Sequence, residues 1–344
     1  MLKRRLYYLL KPYLPWGLRM RVRRFFARRK LAACAALWPI NEALAVVPSG
    51  WPGWPGGKKF AFVLTHDVEG PEGVAKCRQL AELEMRCGFR SSFNFIPEGT
   101  YTVPAELRAW LSANGFEVGV HDLNHDGKLY DSRESFRRKA GRINHYLHEW
   151  GATGFRSGFM LHELDWIHDL DIRYDASTFD VDPFEPQPDG AGTIFPFWIE
   201  ASAKEQVVRD KGQTDPSSPI AQQADEPRRS ASEGGPPSSL RSGYVELPYT
   251  LPQDSTLFFV LGETSPDIWL RKLDWLAERG GMALMNVHPD YVSFGPKPPA
   301  NSEFPSGYYE QLLRHVASRH AGRYWQPLAA EMAEWYKKTR SSGE

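Results

Sequence analysis

Phe60-Ala-Phe-Val-Leu-Thr-His-Asp-Val-Glu-Gly70 is the stretch whose reading decides the fold. It opens as an apolar run rich in aromatic and branched residues and ends in two carboxylates and a glycine. That is the pattern of a buried strand delivering charge at its C-terminal end, where barrel enzymes keep their chemistry. Strand side chains alternate faces, so Ala61, Val63, Thr65, Asp67 and Glu69 share one side, and Phe60, Phe62, Leu64 and His66 the other. Both acids therefore aim the same way, and His66 aims behind the strand. His121, His125 and His288 also follow short apolar runs, and these residues are expected to converge with the acids on one metal.

Outward from this strand the chain alternates between strand and helix patterns. The periodicity predicts a helix over 74–87 ended by Gly88, a strand over 90–96, a helix from Pro104 to about Gly115, and a strand over 116–120. A long helix over 132–150, a strand over 153–159 and a short helix near 161–170 follow. Residues 172–179 read as strand or loop, and the fold resumes at 244–249. Ser265 and Pro266 open a helix as N-cap and first helical residue, a strand covers 282–288, and helices over 307–320 and 327–338 close the chain. Such alternation indicates parallel strands wrapped by helices.

The 344 residues, 42% hydrophobic, suffice for one large α/β domain. Lys plus Arg equals Asp plus Glu at 42 each, yet residues 1–30 hold eleven basic side chains and no acid, so the remainder is net acidic. Basic residues mixed with leucine and aromatics suit an anionic membrane surface; the plainer reading is a solvated basic arm packed on the main domain. No nucleic-acid reading module follows the arm, and no nucleic-acid partner is expected. Pro48-Ser-Gly-Trp-Pro-Gly-Trp-Pro-Gly-Gly57 reads as a linker, so residues 1–57 form arm and linker, 58–338 the catalytic domain and 339–344 a tail. Residues 202–243 lack any aromatic and are rich in Ser, Pro, Gly and charge, which predicts a disordered insertion; a lid ordered by substrate is the alternative. Three widely separated cysteines suggest no disulfide framework. The apolar stretch 31–38 lies too far from Met1 to make a good signal peptide, and no apolar run is long enough to span a bilayer. A cytoplasmic or inner-face membrane-peripheral location is expected, with the oligomeric state left open.

His121-Asp-Leu-Asn-His125 is the sharpest local motif. Two imidazoles four residues apart can bind one cation, with a carboxylate from elsewhere as third ligand and a position left for water. The zinc-protease pattern H-E-x-x-H is similar but needs a helix, whereas Phe116-Glu-Val-Gly-Val120 reads as a strand and Asn124 and Gly127 disfavour a helix.

Taken together, these motifs resemble the polysaccharide deacetylases, the NodB-homology or carbohydrate esterase family 4 domains. Thr65-His-Asp-Val-Glu-Gly70 stands where the family has Thr-Phe-Asp-Asp-Gly, and His121-Asp-Leu-Asn-His125 where it has His-Ser/Thr-x-x-His. Gly154-Phe-Arg-Ser-Gly158, Ile172-Arg-Tyr-Asp-Ala-Ser177, Val245-Glu-Leu-Pro248 and Val287-His-Pro289 follow in the family's order. The resemblance implies a distorted (β/α)7 barrel of the α/β class and removal of an N-acetyl group from a sugar of a polysaccharide or glycoconjugate. It further implies a divalent metal, zinc with cobalt or manganese as alternatives, held by Glu69, His121 and His125. Asp67 would be the general base, Arg156 its charge partner and His288 the acid. Hydrolysis of a non-sugar cyclic amide and a catalytically silent glycan-binding barrel are the competing readings. Val68 separates acids that are adjacent in the family, leaving open whether Asp67 or Glu69 is the ligand. Asp122 replaces a hydroxyl residue, adding negative charge beside the metal or capping the loop, with the cap expected, and Gly158 replaces a proline.

Overall fold

A computed structural model describes residues 16–187, 189–201, 243–296 and 299–341. Residues 1–15 of the basic arm, residues 202–242 of the expected disordered insertion and residues 342–344 of the tail lie outside the described residues.

Strand β1 (Phe60–Val68) is buried along its whole length, the environment its apolar run demands. Around it run β2 (Ser92–Phe95), β3 (Glu117–His121), β4 (Gly154–Arg156), β5 (Tyr174–Asp175), β6 (Phe197–Glu200), β7 (Gly243–Glu246) and β8 (Met282–Asn286). Seven of these are parallel, in the order β8-β1-β2-β3-β4-β5-β7, and β6 adds an antiparallel edge on β7. Closure is irregular: beyond β7, the backbone N–H groups of Thr250 and Leu251 both donate to Leu284 O in β8, each at 3.1 Å. The architecture is therefore a distorted (β/α)7 barrel, with all seven C-terminal strand ends at one mouth.

Helices cover the strands where the periodicity places them. α1 (Trp16–Ala33) precedes the barrel; α2 (Pro71–Cys87), α3 (Ala105–Ala113), α4 (Arg133–Trp150) and α5 (Leu164–Ile167) connect β1 to β5. Further along come α6 (Asp267–Arg279), α7 (Ser306–Arg319) and α8 (Ala329–Ser341). Gly88 ends α2 with φ of 84°, a left-handed conformation that an L side chain resists. One cap differs from expectation: Pro266 is the N-cap of α6, and Ser265 Oγ accepts the Asp267 N–H at 3.4 Å. A π-helical turn, Ser255–Leu261, and strand β6 carry no sequence signal that announces them. The segment 153–159 is strand only over β4; it then bends through a 3-10 turn at Gly158–Met160.

Trp38 and Trp54, from the segments read as arm and linker, are buried in the same core cluster as β1. Trp54 stacks over Phe195 and meets Trp335, and its indole N–H donates to Gly280 O at 2.7 Å. Each such side chain withdrawn from water contributes a few kcal/mol, about 1.5–3 for one of this class. On the opposite face of β1, His66 bridges Glu84 Oε1 (2.7 Å) and Val287 O (2.9 Å), with Tyr309 and Ser91 also donating to Glu84. It packs behind the strand, as parity requires.

Lys272 of α6 is fully buried, 2.7 Å from Asp180 Oδ2. Removing one member leaves the other charge buried and alone. Lys272→Met is expected to destabilise the fold by about 3–5 kcal/mol in chemical denaturation, and a loss comparable to a surface lysine substitution would contradict this account.

Candidate active site

Asp67 ends β1 on the barrel interior. Asn94 Nδ2 donates to its Oδ1 at 3.0 Å and Asn286 Nδ2 to its Oδ2 at 2.8 Å, from the neighbouring strands β2 and β8. Gly119 makes the first of these possible, since a Cβ there would lie 2.1 Å from Asn94 Oδ1. Arg156, at the end of β4 and wholly buried, sets Nη1 3.6 Å from Asp67 Oδ2 and donates from Nη2 to Thr65 Oγ1 at 3.0 Å. Burial alone would raise the Asp67 carboxyl. The charges of Arg156, His121 and His288 and the Asn94 hydrogen bond outweigh it, holding Asp67 far below the usual carboxylate range.

Val68 points away, buried against the core, so the next residue returns the second carboxylate to the mouth. Glu69 is fixed there by its backbone N–H donating to Asp290 Oδ2 (2.9 Å) and by Tyr291 OH donating to its Oε2 (2.6 Å). Its ligand oxygen lies with one nitrogen each of His121 and His125, all three within 4.8 Å of one another. Asp67 is not in this group. His121 is oriented by its Nδ1 against Arg156 O at 3.0 Å, which turns Nε2 inward. Burial pulls the His121 imidazole down against the pull of Asp67, so it is neutral at pH 7 and free to bind metal. Burial also lowers His125, but Glu69 beside it wins and raises its pKa. Glu69 in turn, despite burial, falls to about 2 under His288 and His125.

The donor set suits a divalent cation. His121 Nε2 and His125 Nε2 are buried without hydrogen-bond partners; the latter stands 3.2 Å from Glu69 Oε1, an ion-pair distance without hydrogen-bond alignment. Buried polar atoms are seldom left unpaired, and here they converge beside a carboxylate.

His288 follows β8. Asp254 holds it twice, Oδ2 accepting its backbone N–H at 2.8 Å and Oδ1 facing Nδ1 at 2.7 Å. Its Nε2 faces the site, 3.8 Å from Glu69 Oε1. Burial would lower the imidazole, but Asp254 and Glu69 raise it to about 10, so it is protonated at neutral pH. Phe159 stacks on His125 with centroids 4.3 Å apart, and its φ of 58° is a strained value for a bulky residue.

All six sequence-predicted residues thus meet at one mouth. Sequence reasoning missed Asp254, Asn94, Asn286 and Tyr291. The two asparagines interrupt apolar strands on the inward parity, a signal that was legible; Asp254 lies before a π-helical turn with no pattern to mark it. Asp175 accepts from Ser177, whose hydroxyl reaches Ser157 beside Arg156, so it supports the loop. His315 and His320 instead share Asp274 Oδ1, at 2.8 and 2.7 Å.

No protein-family profile and no curated protein sequence matches the chain. Among solved structures it is similar to a Mycobacterium smegmatis protein provisionally described as a polysaccharide deacetylase. That match has 13% identity and a TM-score of 0.56, covering 84% of this chain and 93% of that one. It is also similar to the peptidoglycan deacetylase PdaC of Bacillus subtilis, with 10% identity and a TM-score of 0.41 over 83% and 95% of the two chains. A family 4 carbohydrate esterase of Streptomyces lividans gives 10% identity and a TM-score of 0.40 over 78% and 92%. The first of these likenesses establishes the shared barrel fold.

A cation entering between Glu69, His121 and His125 competes with protons for the His125 imidazole, whose affinity for them Glu69 raises. Calorimetry of cation binding near neutral pH, in buffers of different ionisation enthalpy, is expected to show proton release and an affinity that falls as pH drops. Heats independent of buffer and an affinity independent of pH would contradict this competition.

Proposed function

We propose that this chain is a metal-dependent hydrolase that removes an N-acetyl group from a sugar of a polysaccharide or glycoconjugate. The observation that carries the reading is the division of labour at one barrel mouth: an arginine-held carboxylate, a three-donor cluster and a carboxylate-held imidazolium lie side by side. Glu69, His121 and His125 would hold the cation, with zinc expected and cobalt or manganese as alternatives. When bound, such an ion polarises the acetyl carbonyl and acidifies water, which matters because Asp67, so strongly ion-paired, is by itself a weak base.

Asp67 takes the proton of the attacking water; Arg156, Asn94 and Asn286 keep it ionised and fix its oxygens. Attack on the carbonyl carbon gives a tetrahedral species, which collapses when His288 passes its Nε2 proton to the departing sugar amine. Asp254 keeps that proton in place on His288 until the amine leaves, and acetate is the second product. Phe159, 46% exposed beside His125, offers an apolar face to the substrate.

The basic N-terminal segment supports a second proposed partner, an anionic membrane surface at the inner face. In α1, Ala27 is buried, and Arg24 and Lys30 donate to Phe259 O and Pro183 O on the barrel. The opposite side exposes Val22, Phe25 and Phe26 between Arg21, Arg28 and Arg29, the composition of an interfacial helix. Among the described residues no helix is long and apolar enough to cross a membrane.

Acetate release from N-acetylated oligosaccharides by the metal-loaded chain tests the activity. Asp67→Asn is expected to lose about 10²–10⁴-fold in kcat and keep its metal, while His121→Ala loses both. Binding of glycan without hydrolysis would favour the silent barrel, and turnover confined to non-sugar amides the other hydrolase. Asp254→Asn removes the charge that raises His288, so the alkaline limb of the rate profile should move to lower pH; an unmoved limb would remove His288 as the acid. For the membrane, sedimentation with phosphatidylglycerol vesicles is expected to exceed that with phosphatidylcholine, and Phe25→Ser with Phe26→Ser to reduce it. Equal sedimentation with both lipids would sink that assignment.

A further inference from the structure

At the end of the barrel opposite the mouth, a second set of donors converges between α6 and α7, the helices that precede and follow β8. His320 Nε2 lies 2.7 Å and His315 Nε2 2.8 Å from the same Asp274 Oδ1, and the three atoms all lie within 4.8 Å of one another. A spacing of five residues would set the two histidines about 140° apart on a continuous helix. α7 ends at Arg319, however, and His320 is its C-cap at φ of −110°, so the chain turns there and brings the rings to 5.7 Å between centroids. The turn is tied down: the Arg323 N–H donates to His320 O at 2.9 Å, and the Lys59 N–H donates to Arg323 O at 2.7 Å. His320 also packs edge-on against Phe60, the first residue of β1. At about 3.3 Å per residue, β1 separates this cluster from the mouth by roughly 26 Å.

The donors are held as ligands are held. Arg319 Nε is 3.1 Å from Asp274 Oδ2, which engages one carboxylate oxygen and leaves Oδ1 to the two rings. Ligating carboxylates are commonly steadied in this way by a hydrogen bond to the other oxygen. His320 is 3% exposed and its Nδ1 is buried without a hydrogen-bond partner, so Nε2 is the one nitrogen through which this ring meets a polar group. A tetrahedral ion with bonds of about 2.0–2.1 Å sets its donors about 3.3–3.4 Å apart, so the two N–O separations reach that spacing by widening about 0.6 Å. The side chains of His315 and Asp274, 21% and 27% exposed, border solvent and have room for this, and the same exposure leaves a fourth position to water. We propose that Asp274, His315 and His320 form a second cation site, which takes a transition-metal dication of the zinc, nickel and copper group and clamps α6 to α7. Two imidazoles and a single carboxylate oxygen select such ions over magnesium and calcium, which demand oxygen donors.

The test uses the full-length chain carrying His121→Ala, which removes a histidine of the mouth cluster and isolates the second site. After chelation, Zn²⁺ and Mg²⁺ are titrated separately by calorimetry, and Co²⁺ is followed by visible absorption. His121→Ala is expected to bind a single Zn²⁺ per chain, to melt at a higher temperature with Zn²⁺ but not with Mg²⁺, and to show a Co²⁺ band of tetrahedral intensity. Adding His315→Ala should weaken Zn²⁺ at least about 100-fold, since even the outer partners of a ligand are worth 10–100-fold, and should abolish the band. Asp274→Asn keeps the size of the side chain and should act in the same direction, with the melting temperature of the metal-free chain separating lost binding from lost folding. With His121 intact, His315→Ala should lower the bound Zn²⁺ by one per chain. Failure of His121→Ala to bind Zn²⁺, or Zn²⁺ binding that neither added substitution weakens, would mean that the three side chains only hydrogen-bond to one another. Mg²⁺ bound as tightly as Zn²⁺ would overturn the assignment to ions that seek nitrogen donors.

Discussion

A guanidinium buried at the barrel mouth constrains everything around it. Arg156 has no exposure, so its charge must be met inside the protein. Asp67 meets it across the barrel, and Thr65 accepts a second N–H while its own hydroxyl donates to Met285 O. The backbone of the same residue is equally committed, since Arg156 O receives both His121 Nδ1 and the Asp122 N–H. One strand end thus fixes the ionisation of the base, the orientation of one imidazole and the turn that carries the next.

The carboxylates around the mouth divide by their neighbours. Asp67 is enclosed by amides and a cation, which leaves it ionised but weakly basic. Asp254 is given wholly to His288, and the pair holds a proton facing the reaction space. Glu69 stands between two imidazoles shifted in opposite directions, His121 lowered by burial and His125 raised by Glu69 itself. Groups of the same two chemical types therefore play opposite parts, and burial together with the nearest charge decides which part each takes.

Neighbouring positions at the mouth are matched to one another. The residue after Asp67 is apolar and turned into the core, and the second acid moves one position along, longer by a methylene and fastened by Tyr291 and Asp290. An aspartate enters the histidine loop, and the facing strand end gives up its side chain at Gly158 to admit it.

The barrel was legible in the sequence because its evidence is periodic. The uniform burial of β1, the Gly88 cap and the strand–helix alternation all depend on residues close in the chain. Strand parity went further, placing Asp67 and Glu69 on one side and His66 on the other. The asparagines at 94 and 286 were within reach of the same rule, whereas Asp254, the π-helical turn and the burial of Trp38 and Trp54 were not. Those depend on contacts between distant segments, such as the 34 residues separating Asp254 from His288. By itself, then, the sequence determined the kind of fold and which residues could carry chemistry. Only the tertiary structure decided that Glu69 rather than Asp67 stands with the histidines, and in which direction each imidazole is shifted. Separation across strands and the depth of burial set those outcomes, and neither is encoded in local periodicity.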